Sequence, residues 1–324
     1  MREFKLVNTT TVDAAVSSLS QYNGTAVIMA GGTDLLGSLK REILPSSPEA
    51  VVNIQNIPDM DYIKEEGGML KIGALARLDD IAGNTIIKTK YAALAQAAAK
   101  TASPHLRVMG TIGGNICQQN RCWYFRASNN YFDCLRKGGN LCYAMAGGDN
   151  RYHSIFGAMG GCLAVNPSDT APALVTLDAS IVTTKRTIAA EEFWAAPMMD
   201  PTSTVLDKDE IVTEIQIPAF SGKSAFVKFA TRTSIDFPIV NCAAAIDGSN
   251  ARICLNAVSG IPYRATSAED AIKGKTIDEA NAEAAGAAAV SKAIAMTANG
   301  SNPGNKYKVQ IAKTMVKRAI LACA

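Results

Sequence analysis

Apolar and polar positions divide the chain into strand and helix patterns from its first residues. FKLV at 4–7 is strand-like, and helical spacing runs from Thr11 to about Tyr22, with Thr11 or Asp13 as the cap. TAVIMAGGTDLL is a β-rich apolar run that stops abruptly at Gly31 and Gly32, and VVNI at 51–54 is a second buried strand. Two strands around a helix predict a small βαβ-like unit ending near Ile57. After Pro58, YIKEEGGMLKIGALARLDDIA predicts a hairpin turning at Gly67 and Gly68, then a helix starting at Leu78 and Asp79. Residues 84–102, rich in Ala and Leu, read as a helix, and TIGGNIC at 111–117 as a short strand broken by paired glycines. LAVNPSDTAPALVTLDASIVTT at 163–184 resumes strand, turn, helix and strand, giving the middle block an α/β character. From about Ala219, strands SAFVKFATR and ARICLNAVS precede Ala-rich helices at 278–298 and 306–323. That order predicts an α+β terminal domain, with a three-stranded sheet under a helical layer.

At 324 residues the chain exceeds a typical single domain, so two or three substructures are expected. Hydrophobic residues make up 48% and charged residues 19%, which fits a compact fold rather than a disordered chain. A net charge of +3 without a dense Lys/Arg run argues against nucleic acid and leaves small molecules and proteins as partners. The N-terminal residues show no basic stretch leading into an apolar one, and no apolar run reaches membrane-spanning length. A cytoplasmic setting with no membrane contact is therefore expected. In such a reducing setting, clustered cysteines serve more often as metal ligands or redox groups than as disulfides.

AGGTDLL at 30–36 and TIGGN at 111–115 use one physical device twice. Paired glycines admit positive φ and let backbone N–H groups approach a ligand with no Cβ in the way. Thr33, Thr111 and Asn115 add short polar groups, making nests suited to a pyrophosphate. Neither loop fits G-x-G-x-x-G or a P-loop, and a glycine pair also serves simply as a turn. By themselves the loops leave a dinucleotide, another phosphate ligand and plain turns open.

Between them and the Ser-Asp turn lies CQQNRCWYFRASNNYFDCLRKGGNLC, which holds Cys117, Cys122, Cys134 and Cys142, with Cys162 following. The spacing C-x4-C-x11-C-x7-C-x19-C matches neither the paired C-x2-C of zinc ribbons nor the ferredoxin patterns. Several thiolates on one loop favour zinc or an iron–sulfur cluster over oxygen-preferring metals, with unligated thiols as the plain alternative. Cys242, Cys254 and Cys323 are scattered and apolar-flanked, as buried free cysteines are.

AGGTDLL, SPHLRVMGTIGGNIC, NPSDTAPALVTLDA, DEIVTEIQIP and KFATRTSIDFPIV, in this order, resemble the FAD-binding medium subunit of the molybdenum hydroxylases. That family includes the flavin subunits of carbon monoxide dehydrogenase, xanthine dehydrogenase and 4-hydroxybenzoyl-CoA reductase. The resemblance covers nearly the whole chain. It implies an α+β protein with the flavin fold of vanillyl-alcohol oxidase and p-cresol methylhydroxylase over residues 1–219, in subdomains of about 1–57 and 58–219. A C-terminal α+β domain with a small antiparallel sheet and helices would occupy 220–324. By the resemblance, Ile28, Met29, Ala30, Gly31, Gly32, Thr33, Asp34 and Leu35 wrap the FAD pyrophosphate from one side, and Thr111, Gly113, Gly114 and Asn115 from the other. Ser168 and Asp169 match the pair that reaches the ribityl and flavin region. Ile211, Val212 and Lys228 match flavin-flanking positions, and Asp236 lies near the ring in relatives. His105 stands where relatives often carry Gln and is expected to be a buried, hydrogen-bonded histidine.

Most medium subunits pass directly from TIGGN to the Ser-Asp turn. The 4-hydroxybenzoyl-CoA reductase subunit carries an insertion there holding a 4Fe-4S cluster, and residues of about 116–162 look like that variant. The resemblance implies Cys122, Cys134, Cys142 and Cys162 as ligands, with Cys117 in the non-ligand place and the last gap lengthened by GGDNRYHSIFG. Trp123, Tyr124 and Phe125 would cover the cluster or pack on the domain surface. Arg121, Arg126, Arg136 and Lys137 would offset its negative charge or form a solvated face. The implied partners are a large molybdopterin subunit and a small 2Fe-2S subunit in a dimer of heterotrimers, with ferredoxin or NAD as external electron partner. Substrate chemistry would then occur on the partner, with aromatic acyl-CoA reduction as a reaction the resemblance implies, and no catalytic residue is expected in this chain. Rival readings are the FAD subunit of a purine or N-heterocycle hydroxylase, and a zinc-bearing interaction module.

Overall fold

The computed structural model describes residues 1–195, 203–300 and 302–324. The first unit runs β1 (Lys5–Asn8), α1 (Val12–Gln21), β2 (Ala26–Met29), α2 (Leu35–Arg41) and β3 (Ala50–Asn53). Its three strands are parallel in the order β1-β3-β2, so β3 is central and Ala50, Val51 and Val52 are fully buried. Thr11 caps α1 by accepting from the Ala14 N–H at 3.1 Å, and Ala15 and Leu19, four residues apart, carry its buried face.

The second unit contains β4 (Ile63–Glu66), β5 (Met69–Gly73), α3 (Leu78–Gly83), α4 (Thr85–Lys90), α5 (Ala92–Ala99), α6 (Pro104–Arg107), α7 (Ile112–Ile116) and α8 (Thr170–Thr176). It closes with β6 (Ser180–Thr183), β7 (Thr187–Ala189) and β8 (Val212–Pro218). The sheet order is β4-β5-β8-β6-β7 and every pairing is antiparallel, so the expected α/β block is instead an antiparallel sheet with helices interposed. Two further expectations change. The stretch 84–102 breaks into α4 and α5 because Tyr91 leaves helical geometry between them. TIGGNIC is a helix, not a strand: Thr111 accepts from the Gly114 N–H at 3.0 Å and caps α7.

β9 (Lys223–Phe229), β10 (Val240–Asp247), β11 (Asn250–Asn256) and β12 (Tyr263–Arg264) form an antiparallel sheet ordered β12-β11-β10-β9. It has four strands rather than the expected three because the two-residue β12 pairs along β11. Helices α9 (Thr266–Ile272), α10 (Glu279–Ala289) and α11 (Tyr307–Leu321) cover one face. Val240, Cys242 and Ala244 of β10 face these helices, while Ala243 and Ala245 join the core of the first two units. Burial on both faces explains why VNCAAAI reads as an apolar run rather than an alternation. α10 stops at Ala289 rather than near 298, and the chain beyond it pairs with the insertion, Ile294 N–H donating to Ile155 C=O at 2.7 Å.

The insertion between α7 and α8 is mostly turns, held by what it packs against. Phe125 and Cys134 bury against Ile43 at the end of α2, and Lys137 donates to the Ile43 carbonyl at 3.1 Å. From the other side Asn305 donates to the carbonyls of His153 and Ser154, and the fully buried Lys308 ammonium donates to those of Tyr152, His153 and Ala257 at 3.1, 3.0 and 2.7 Å. Three N–H donors meet three carbonyls, which satisfies an ammonium far from water. Lys308→Met keeps most of the unbranched side chain and leaves those carbonyls without a donor. The expected loss is about 3 kcal/mol, read by chemical denaturation.

Candidate cofactor site

A cavity of about 540 Å³ lies where the first unit, the second unit and the loop before β10 meet. That is within the usual size for a cofactor site. One wall is the end of β2 and the loop after it: Ile28, Met29, Ala30, Gly31, Gly32, Thr33, Asp34 and Leu35. Thr111, Gly113, Gly114 and Asn115 of the second glycine loop form the facing wall, joined by Asp169, Ile211, Val212 and Asp236. Gly32 sits at φ +70°, and a Cβ on Gly31 would lie 2.0 Å from the Met109 carbonyl oxygen, so the two loops approach each other through glycine alone. Among the described residues the N–H groups of Gly32, Thr33 and Asp34 have no protein acceptor, so this loop presents open donors to an anion. In the other loop the Gly113 N–H is bound to the Ala74 carbonyl and the Gly114 N–H to Thr111. Its glycines serve close packing more than donation.

Several side chains depart from their expected places. Ser168 is fully buried and does not line the cavity. Its hydroxyl donates to Asn115 Oδ1 at 2.6 Å, as Thr170 does at 2.7 Å, so together they orient Asn115. Lys228 is also absent from the lining: its ammonium lies between Asp169 Oδ2, at 2.7 Å, and the Lys100 carbonyl, at 2.9 Å. Asn241 donates to the other Asp169 oxygen at 2.7 Å. Burial pushes the Asp169 carboxyl up, and Lys228 opposes that rise. His105, expected to be buried, is exposed because Ser103 and Pro104 start α6, a four-residue helix across the surface.

Asp34 lines the cavity but its carboxylate is committed elsewhere. Oδ1 accepts from Arg121 at 2.7 Å and Arg126 at 2.8 Å, and Oδ2 accepts from Arg126 at 3.0 Å and the Gln119 N–H at 3.2 Å. Burial would raise this carboxyl, but the two guanidinium groups outweigh it and hold the pKa below the usual carboxylate range. Arg121 also lies over the Phe237 ring, 4.3 Å from its centroid, and both residues line the cavity. Neither spacing nor charge pattern marks Arg121 as part of this site, because its carboxylate partner lies 87 positions away. Leu75, Leu78 and Leu106 are further lining residues without a distinguishing local signal.

A second, small cavity of about 20 Å³ is lined by Cys122, Cys134, Cys142 and Cys162, together with Tyr124, Phe125, Arg136 and Tyr143. All eight cysteines are free thiols. Cys134 is set by a bridge to Leu141, Cys142 starts a turn closed by the N–H groups of Met145 and Ala146, and Cys162 pairs with Met159. Cys117 lines the larger cavity instead. Burial pushes the Cys117 and Cys122 thiols up to about 12, and at Cys122 the neighbouring Cys162 and Cys134 add to the rise. His153 Nε2 lies 3.2 Å from Cys122 Sγ. Among the described residues no three His, Cys, Asp or Glu side chains gather tightly enough to hold a single metal ion. Of the four expected cations, Arg136 lines this cavity, donating to Ser203 Oγ at 2.6 Å, and Lys137 lies 6.0 Å from the Phe125 ring centroid. Arg121 and Arg126 face the larger cavity's Asp34 instead. Phe125 is buried at the thiols, whereas Trp123 is partly exposed and donates to the Asp149 carbonyl.

Residues 2–220 match the family described as FAD binding domain in molybdopterin dehydrogenase, and residues 225–323 match the CO dehydrogenase flavoprotein C-terminal domain. The chain belongs to the FAD-binding subunits of the molybdopterin dehydrogenases. It is 33% identical over 279 residues to the aldehyde oxidoreductase FAD-binding subunit PaoB of Escherichia coli (strain K12), spanning 83% of this chain and 86% of that one. It is 27% identical over 323 residues to the carbon monoxide dehydrogenase medium chain of Hydrogenophaga pseudoflava, spanning 96% and 93%. A solved carbon monoxide dehydrogenase structure from Hydrogenophaga pseudoflava superposes with a TM-score of 0.75 at 27% identity, over 99% of this chain and 97% of the other. As an FAD-binding subunit of a molybdopterin dehydrogenase, the chain is part of an oxidoreductase. Among the described residues no helix is long and apolar enough to cross a membrane.

Gly31→Ala drives a methyl group into the Met109 carbonyl and is expected to reduce bound flavin at least tenfold, read from flavin absorbance per chain. Gly37→Ala, with open space around it, should leave flavin content unchanged. Asp34→Asn leaves two neighbouring guanidiniums without their anion and should cost roughly 2–4 kcal/mol, measured by chemical denaturation. The Asp34 pKa is lower in the folded state than in the unfolded one. Its contribution is therefore complete above the ordinary carboxylate range and disappears as pH falls through the folded value.

Proposed function

We propose that this chain is the electron-transfer flavin and iron–sulfur subunit of a heteromeric molybdopterin oxidoreductase, with FAD in the large cavity and a 4Fe-4S cluster among the four cysteines. The observation that carries it is the division of labour within CQQNRC: Cys117 lines the large cavity and Cys122 the small one, five residues apart in sequence. The open N–H groups after β2 suit the FAD pyrophosphate, and Ile211 and Val212 offer an apolar flank to the flavin. Asp169 and Asp236 stand at the wall where the ribityl chain and ring would lie. Bound FAD would supply exchange between two-electron and one-electron carriers. The chain's own task is to hold, orient and shield, with residues 1–57 and 58–219 as the flavin subdomains of the vanillyl-alcohol oxidase type, about 116–162 as the cluster insertion and 220–324 as the C-terminal domain.

Four soft donors around one cavity fit an iron–sulfur cluster. A single zinc ion needs all four sulfurs about 2.3 Å from one point, a tighter gathering than the wider cage of a cluster requires. The matching regions of the aldehyde oxidoreductase and carbon monoxide dehydrogenase subunits support a complex with a large molybdopterin subunit and a small 2Fe-2S subunit. Substrate chemistry then belongs to the large subunit. Relatives named as dehydrogenases of carbon monoxide and nicotinate favour electrons leaving a substrate through this chain to ferredoxin, NAD or another acceptor. Aromatic acyl-CoA reduction is the same route run in reverse.

Native purification with iron, molybdenum and flavin counted tests the reading. It expects one FAD and about four irons per chain beyond those of the 2Fe-2S partner. Cys122→Ser should lose the four irons while Cys117→Ser keeps them. A zinc-containing, iron-free protein, or equal iron loss in both variants, would reject the assignment.

A further inference from the structure

We propose that His153 is a positioning residue for the cysteine cavity, donating from Nε2 to Cys122 Sγ and thereby raising the reduction potential of the group the thiolates hold. The inference rests on the iron–sulfur reading above. His153 comes from GGDNRYHSIFG, which contributes none of the four cysteines, and tertiary structure alone brings it to one of them. Its side chain is buried, with Nε2 3.2 Å from Sγ. Nδ1 is also buried and has no partner, so the sulfur is the polar group that the ring meets. A coordinated thiolate carries no proton, so the contact is a hydrogen bond only when Nε2 is the donor.

The ring is held in place from outside the insertion. The His153 carbonyl accepts from Lys308 Nζ at 3.0 Å and Asn305 Nδ2 at 3.1 Å, both from the C-terminal domain, and its N–H donates to the Asn150 carbonyl at 3.0 Å. Trp123 meets the ring edge-on at 5.6 Å between centroids and Tyr124 lies tilted at 6.1 Å, covering it from water. A fixed donor in a water-poor setting interacts more strongly than one in solvent. Its positive end stands beside a sulfur that becomes more electron-rich on reduction, so it stabilises the reduced form more than the oxidised one. Cys162 Sγ also receives a donor, the Ala164 N–H at 3.4 Å, but that bond is main-chain and survives any side-chain change. His153 is therefore the part of this environment that a substitution can remove.

The test uses the complete complex carrying His153→Phe, which keeps an aromatic ring without a donor, and His153→Gln, which keeps an N–H. Iron is counted, and the cluster and flavin are titrated by electron paramagnetic resonance and absorbance. Both variants should retain about four irons per chain. In His153→Phe the equilibrium constant for reduction should fall about tenfold, about 59 mV for one electron, with the flavin potential unmoved. His153→Gln should recover most of that shift. Spin-echo modulation of the reduced cluster should carry a weak nitrogen coupling that changes on 15N-histidine labelling and is absent from His153→Gln. An unchanged potential in His153→Phe at full iron load would overturn the proposal, as would a missing nitrogen coupling. Iron lost from both variants would also overturn it, making His153 a ligand or a structural strut. Iron absent from the unmodified complex would reject the iron–sulfur reading itself, an outcome distinct from these.

Discussion

One carboxylate between two guanidinium groups holds the two cavities in register. Asp34 takes hydrogen bonds from Arg121, Arg126 and the Gln119 N–H, so both of its oxygens are satisfied. Burying such ions is costly unless the pairing is this complete. The arrangement also neutralises an acid at the mouth of a nest of open N–H donors, where a free carboxylate would repel a phosphate. Because Asp34 precedes α2 and both arginines belong to the insertion, the loop that faces the large cavity is tied directly to the segment that carries the cysteines.

The same logic of joining recurs at the other contacts of the insertion. Arg126 also donates to the Asn120 and Gln119 carbonyls, stiffening the stretch between Cys117 and Cys122 from within. Lys308 and Asn305 hold the far end of the insertion through its carbonyls, and Arg121 reaches Phe237 in the loop leading into β10. Asp169 is bound by Lys228 and Asn241 of the C-terminal sheet. Cavities built at such joints combine residues distant in sequence, which is where cofactor sites tend to lie. An irregular segment of more than forty residues is held by hydrogen bonds from neighbouring units at both ends and by a small apolar cluster against Ile43.

Local signals in the sequence were sufficient at several points where the physics is local. The glycine pair at 31–32, the Thr11 cap and the Gly67-Gly68 hairpin depend on backbone geometry within a few residues, and each appears as expected. TIGGNIC failed as a strand because its two glycines mask a helix start that a threonine cap supplies. The cysteine spacing left metal, cluster and free thiols open, since spacing says nothing about which sulfurs share a cavity.

By itself the sequence determined the parallel N-terminal unit, the Gly67-Gly68 hairpin and the strands-then-helices order of the C-terminal part, two glycine loops able to approach a phosphate, and a soft-ligand set following the second of them. These follow from side-chain period, from the missing Cβ of glycine and from thiol chemistry, all properties of short windows. Tertiary structure alone decided that Cys117 faces one cavity and Cys122 the other, that Asp34 binds arginines, and that Ser168 and Lys228 hold the site's walls together. It also put His153 against Cys122. Those outcomes depend on side chains tens of residues apart finding partners when water is excluded, where an unpaired donor or charge is too costly to leave.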